Sequence, residues 1–156
     1  MKPLDKDYYR AANKGQFKHG VWAVEDEVPA EGILHGDIEE RTWTVTKMLK
    51  GGVKSQQVRS RQDWAIKDGY METGNGTSLH DYEGALDYRS WDYFRLPEGT
   101  EVPAMLLVNQ RGADPHHYQI EVRTGGIVTP DALRGALDNL ARNCVVRLKQ
   151  LAEQDR

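Results

Sequence analysis

The apolar positions of this chain are periodic at its C-terminal end and lose their period toward the middle. Leu133, Leu137, Leu140, Ala141, Cys144, Leu148 and Leu151 follow steps of three, four and seven, the spacing that lines up one stripe of a helix. Thr129 before them is a good N-cap, Pro130 suits the first helical position, and Asp131 favours the positive helix end. The pattern predicts a long amphipathic helix that packs on the rest of the domain, with Cys144 as a small buried hydrophobe.

Upstream the period changes to two. His117, Gln119, Glu121 and Arg123 alternate with Tyr118, Ile120 and Val122, so residues 118–122 predict a strand with one apolar and one polar face. The compact apolar run over 102–108, bounded by turn residues, predicts a buried strand. Gly69, Gly74 and Gly76, with an Asn-Gly pair, predict a turn or loop over 69–76 leading into Thr77-Ser78-Leu79. In the first half, residues 7–12 and 20–24 read as short strands and 37–49 as a helix; 47–68 has the weakest pattern.

Length and charge narrow the class. The 156 residues make one domain, 1–156, without repeats. No run approaches the roughly 20 apolar residues that cross a bilayer, and the first residues form no signal core. The expectation is a cytoplasmic protein with no membrane partner, exported, if at all, by another route. One cysteine excludes an internal disulfide and a thiolate zinc site. A net charge of −3 argues against a protein that holds nucleic acid mainly through its overall charge, though not against one that modifies it. Phosphate-loop, dinucleotide-fingerprint, nucleophile-elbow and zinc-protease motifs are all absent. His116 and His117 are adjacent, but strand neighbours point to opposite faces, so they make no metal pair.

Three segments gain meaning in order: Tyr8-Tyr9-Arg10-Ala11, Gly76-Thr77-Ser78-Leu79 and His117-Tyr118-Gln119-Ile120-Glu121. Arg10 is suited to hold phosphate through its planar donors. Ser78 or Thr77 can hydrogen-bond a carboxylate, and Glu121 can stabilise the cationic charge that develops when nicotinamide leaves NAD. Gln119, two positions earlier on the same face, can orient an acceptor.

The order Arg, Thr/Ser, Gln-x-Glu resembles the Arg-Ser-Glu class of mono-ADP-ribosyltransferases. The longer matches are similar to the Tse-two-type effector toxins of type VI secretion. They are Tyr9-Arg10-Ala11, Gly76-Thr77-Ser78 with Asp81 and Gly84, Leu96-Pro-Glu-Gly-Thr-Glu-Val-Pro103, Gln110, His117-Tyr118 and Leu137-Asp-Asn-Leu-Ala-Arg-Asn143. The resemblance implies an α+β fold: an ADP-ribosyltransferase-like β core with flanking helices and a long C-terminal amphipathic helix.

It also implies a toxin delivered by a secretion carrier or chaperone to the cytoplasm of a target bacterium, and neutralised by a small immunity protein. NAD is the implied co-substrate, transferred to a protein or nucleic-acid acceptor, or hydrolysed if water accepts. The catalytic set expected is Glu121, Gln119, Ser78 and His117; the cofactor-binding set is Arg10, Tyr9, Thr77, Ser78 and Gln110. Two other readings stay open: an inactive fold that works by binding, and a ribonuclease using His117 and Glu121 as acid and base.

Overall fold

A computed structural model describes residues 2–16 and 29–155 of the chain. The strand expected over 20–24 lies outside them. The described fold is α+β. Nine strands precede the helix α1 (Pro130–Gln154), the one helix among the described residues, so the elements flanking the β core here are strands and turns rather than further helices.

The central sheet has five antiparallel strands in the order β7-β1-β6-β9-β8. They are β1 (Tyr8–Asn13), β6 (Thr77–His80), β7 (Trp91–Leu96), β8 (Leu106–Gln110) and β9 (His117–Val122). Leu79, Phe94, Leu96, Leu106, Ile120 and Val122 from this sheet share one core with Leu133, Leu137 and Leu140 of α1. The helix stripe is therefore core packing, as its spacing predicts. Thr129 caps it through its side chain to the Ala132 N–H. Cys144 is fully buried, and burial pushes its thiol up to about 12, which removes thiolate chemistry.

Three local expectations change. Residues 37–49 are not a helix: β2 (Arg41–Met48) pairs with β3 (Lys54–Arg61) as a two-stranded ribbon. Thr42, Thr44, Val45 and Thr46 are β-branched, and Gly51 and Gly52, both at positive φ, supply the turn. The strand expected over 102–108 begins later, at Leu106, because the Leu106 N–H turns back onto the Pro103 carbonyl at 2.9 Å. The loop expected over 69–76 opens with half of a small hairpin, β4 (Ile66–Lys67) with β5 (Tyr70–Met71). Thr77 and Ser78 then stand on a strand rather than a turn.

The proline-bracketed segment over 96–103 is architectural. The Thr100 hydroxyl donates to the Pro97 carbonyl at 2.6 Å, the Leu4 N–H donates to the Thr100 carbonyl at 2.8 Å, and Arg147 of α1 donates to the Glu98 carbonyl at 2.9 Å. This turn ties the N-terminal segment and α1 to the end of β7.

Candidate functional site

β6 is the hinge of the site. It pairs with β9 over four residues, Thr77↔Ile120 to His80↔His117, but meets β1 at a single register pair, Tyr9↔His80. Gly76 permits the close β6–β9 approach, since a Cβ there would lie 1.7 Å from the Ile120 carbonyl oxygen. Where the β1–β6 ladder ends, Arg10 reaches across and donates from Nη1 to the Ser78 carbonyl at 3.2 Å.

A cleft of about 770 Å³ lies here, lined by Arg10, Ser78, His80, His117, Asp37 and Asp63 among others. Arg41 and Arg61, from the first and last positions of the β2–β3 ribbon, also line it. Tertiary structure thus brings together three sequence-predicted residues from three strands: Arg10, Ser78 and His117.

The hydrogen bonds define what these groups can do. His117 Nδ1 lies 2.8 Å from the Arg111 carbonyl oxygen, and Nε2 lies 3.1 Å from Ser78 Oγ. A carbonyl only accepts, so Nδ1 carries the hydrogen, and Nε2 of the neutral ring accepts from the Ser78 hydroxyl. Arg10 forms no ion pair among the described residues, and its Nε is buried without a partner there. Burial lowers the Arg10 guanidinium pKa, partly offset by Asp63. Gln119 stands opposite Ser78 in the β6–β9 register, and its Oε1 is likewise buried without a partner among the described residues. The orphaned Arg10 donor suits a phosphate oxygen and the orphaned Gln119 acceptor a hydroxyl or amide N–H, a pair that fits a polar ligand carrying both, such as a dinucleotide.

The remaining predicted residues sit elsewhere. Thr77 is fully buried beneath the cleft wall: its hydroxyl donates to the Leu34 carbonyl at 2.7 Å and accepts from Trp64 Nε1 at 3.2 Å. It braces the wall. Gln110 closes the β8–β9 connection, donating from Nε2 to the carbonyls of Gly112 and Asp114, each at 3.0 Å. Tyr9 does not line the cleft; burial raises its phenol pKa.

Glu121 does not line the cleft either. Its side chain is 2% exposed and held by a bidentate pair with Arg111, Nε to Oε2 at 2.7 Å and Nη2 to Oε1 at 2.8 Å. Such a fork fixes the orientation of the carboxylate.

Sequence reasoning missed His80 and the acidic pair Asp37 and Asp63. His80 was within reach, because it follows Ser78 at the strand period of two. Burial lowers its pKa, and the neighbouring His117 lowers it further. Asp63 had no local signal. Its Oδ2 accepts from the Asp37 N–H, and Gly36, at φ +60, must lack a side chain because a Cβ would lie 2.8 Å from that oxygen.

A search of curated proteins finds no match. A family model described as Tse2 ADP-ribosyltransferase toxin matches residues 6–148, which include every cleft residue named above. The chain belongs to the Tse2 ADP-ribosyltransferase toxin family.

Proposed function

We infer that the cleft binds NAD and that the protein transfers ADP-ribose from it to a macromolecule of the target cell. The observation that carries this reading is the convergence of Arg10, which has no ion pair among the described residues, with the Ser78–His117 pair in one cleft. NAD supplies a nicotinamide–ribose bond whose cleavage leaves positive charge on the ribose. In this reading Arg10 binds the diphosphate through its free guanidinium edge, oriented by its bond to the Ser78 carbonyl. His117 Nε2, fixed as acceptor by the Arg111 carbonyl, takes the proton of the incoming nucleophile by way of Ser78. Gln119, opposite Ser78 in the register, orients that nucleophile, and Glu121 acts from outside the cleft lining by holding Arg111, whose carbonyl sets the His117 tautomer.

Toxin action inside a target cell, which the family match supports, is completed in this reading by delivery through a secretion carrier and silencing by a small immunity protein. No described helix is long and apolar enough to cross a membrane.

A second reading, a toxin that binds without catalysis, draws on the engagement of Glu121 by Arg111. The two separate in one experiment: nicotinamide release and label transfer from labelled NAD in cell extract, for wild type, Arg10→Ala and Glu121→Gln. Release by wild type, lost in Arg10→Ala, upholds the enzyme. Intact NAD with undiminished cell killing overturns it.

A further inference from the structure

The β2–β3 ribbon has an unusual charge. From Arg41 to Arg61 the sequence carries six cations, Arg41, Lys47, Lys50, Lys54, Arg59 and Arg61, and no Asp or Glu, in a chain of net charge −3. Fourteen of the sixteen strand residues are exposed. A bare two-stranded ribbon is at best marginally stable in water, and setting Arg41 directly opposite Arg61 costs more. Ion pairs to Asp37 and Asp63 offset that cost at the base of the ribbon, whereas the cations farther out bring no such gain among the described residues.

The register sorts the ribbon into two faces. Arg41 opposes Arg61, Trp43 opposes Arg59 and Lys47 opposes Ser55, so Arg41, Arg61, Trp43, Arg59 and Lys47 share one face. Thr42, Ser60, Thr44, Val58, Thr46 and Gln56 make up most of the other. On the basic face the Arg41 guanidinium lies 4.6 Å from the Trp43 ring centroid, and Trp43 is 37% exposed. Arg41 and Arg61 are tied to Asp37 and Asp63 at the ribbon's base and also line the cleft. Lys47 and Arg59, farther out, form no ion pair among the described residues. An aromatic flanked by cations, on a face that starts at the cleft rim, matches the stacking platform and electrostatic track used for single strands. A base brings a flat partner for the indole together with a phosphate for the cations beside it.

We propose that this face binds single-stranded nucleic acid and presents it to the cleft as the acceptor of ADP-ribose. The acceptor role rests on the transfer reading above; the binding does not. The acceptor atom, a base nitrogen or a sugar hydroxyl, bonds to the ribosyl carbon as the bond to nicotinamide breaks. Nicotinamide leaves with the bonding pair, and the acceptor's proton passes to His117 Nε2.

The test is fluorescence anisotropy with a labelled single-stranded RNA of about 20 nucleotides, across a salt series, paired with transfer of label from NAD to the same RNA. The variants are Lys47→Ala/Arg59→Ala, Trp43→Ala, and Lys54→Ala as a control opposite Met48 on the other face. Wild type binds, and binding weakens as salt rises. The double variant loses about tenfold in affinity with a salt slope shallower by about 1.4. Trp43→Ala also loses about tenfold, and Lys54→Ala changes little. Nicotinamide release without RNA is unchanged in the double variant, while transfer to RNA falls with binding. Salt-independent binding, equal weakening by Lys54→Ala, or label that lands on an extract protein through the same ribbon residues overturns the proposal. Nicotinamide release without RNA binding would sink the ribbon assignment alone. RNA binding without release from any variant would sink the transfer reading and leave the binding face standing.

Discussion

His117 Nε2 lies 3.1 Å from Ser78 Oγ although the two residues are 39 positions apart in the sequence. The contact exists because β6 and β9 pair in a register that sets His80 opposite His117 and Gln119 opposite Ser78. The Arg111 carbonyl at 2.8 Å from Nδ1 then decides which ring nitrogen accepts.

If that pair moves the proton in transfer, His117→Ala lowers the rate of nicotinamide release or transfer by about 100-fold or more. Ser78→Ala should fall by a comparable factor, and the double variant should fall no further than the worse single one, because the two act as a unit. Independent, additive losses would show that they do not work together.

Glu121 and Arg111 give a sharper contrast. Arg111→Ala strips the partner from a carboxylate that is 2% exposed, so the melting temperature should drop. Glu121→Gln keeps shape and removes the charge, and should retain most of the stability while losing activity if the reaction needs the charge that holds Arg111. Thermal melts of both variants beside NAD turnover separate a structural pair from a catalytic carboxylate; full activity in Glu121→Gln would assign the pair to the fold alone.

Thr77 is a brace, so Thr77→Val should cost about 1–3 kcal/mol of stability, or roughly 2–4 °C in Tm for each kcal/mol at this chain length. The Leu34 carbonyl loses its donor, while Trp64 Nε1 keeps its bond to the His35 carbonyl at 2.9 Å. Denaturant unfolding measures the loss. Activity per folded molecule should persist, which a direct ligand contact by Thr77 would contradict.

His80 sets a pH dependence. Its pKa is lowered in the folded state by burial and by His117, so between the folded value and the ordinary value of about 6.5 the unfolded chain binds more protons. The stability contributed by neutral His80 is therefore complete above about pH 6.5 and declines as pH falls toward the folded value. Melts of wild type and His80→Asn from about pH 7.5 to 5 should converge in slope if other groups dominate. A wild-type decline that His80→Asn flattens assigns it to this ring.

Much of the architecture was legible because it is periodic. The α1 stripe, its Thr129 cap and the alternation along β9 each follow from local geometry repeated over several residues. The β2–β3 ribbon was not legible as such. Both of its faces meet water, so no apolar alternation marks it, and its Glu, Arg, Met and Leu neighbours imitate a helix. Polar residues that a strand pattern exposes can also be covered: Glu121 lies on the polar face of β9, yet Arg111 roofs it.

What could be read from the order of residues alone is the class of fold, the C-terminal helix and the types of residue that NAD chemistry would need, because each is written in short spacings or in a motif order. Tertiary structure decided which of those residues meet. Arg10, Ser78 and His117 converge because the β1–β6 ladder opens just where the β6–β9 register continues, whereas Thr77, one residue away from Ser78, turns inward with the strand's alternation and is lost to the core. Pairing between distant strands sets these outcomes, and no local pattern records it.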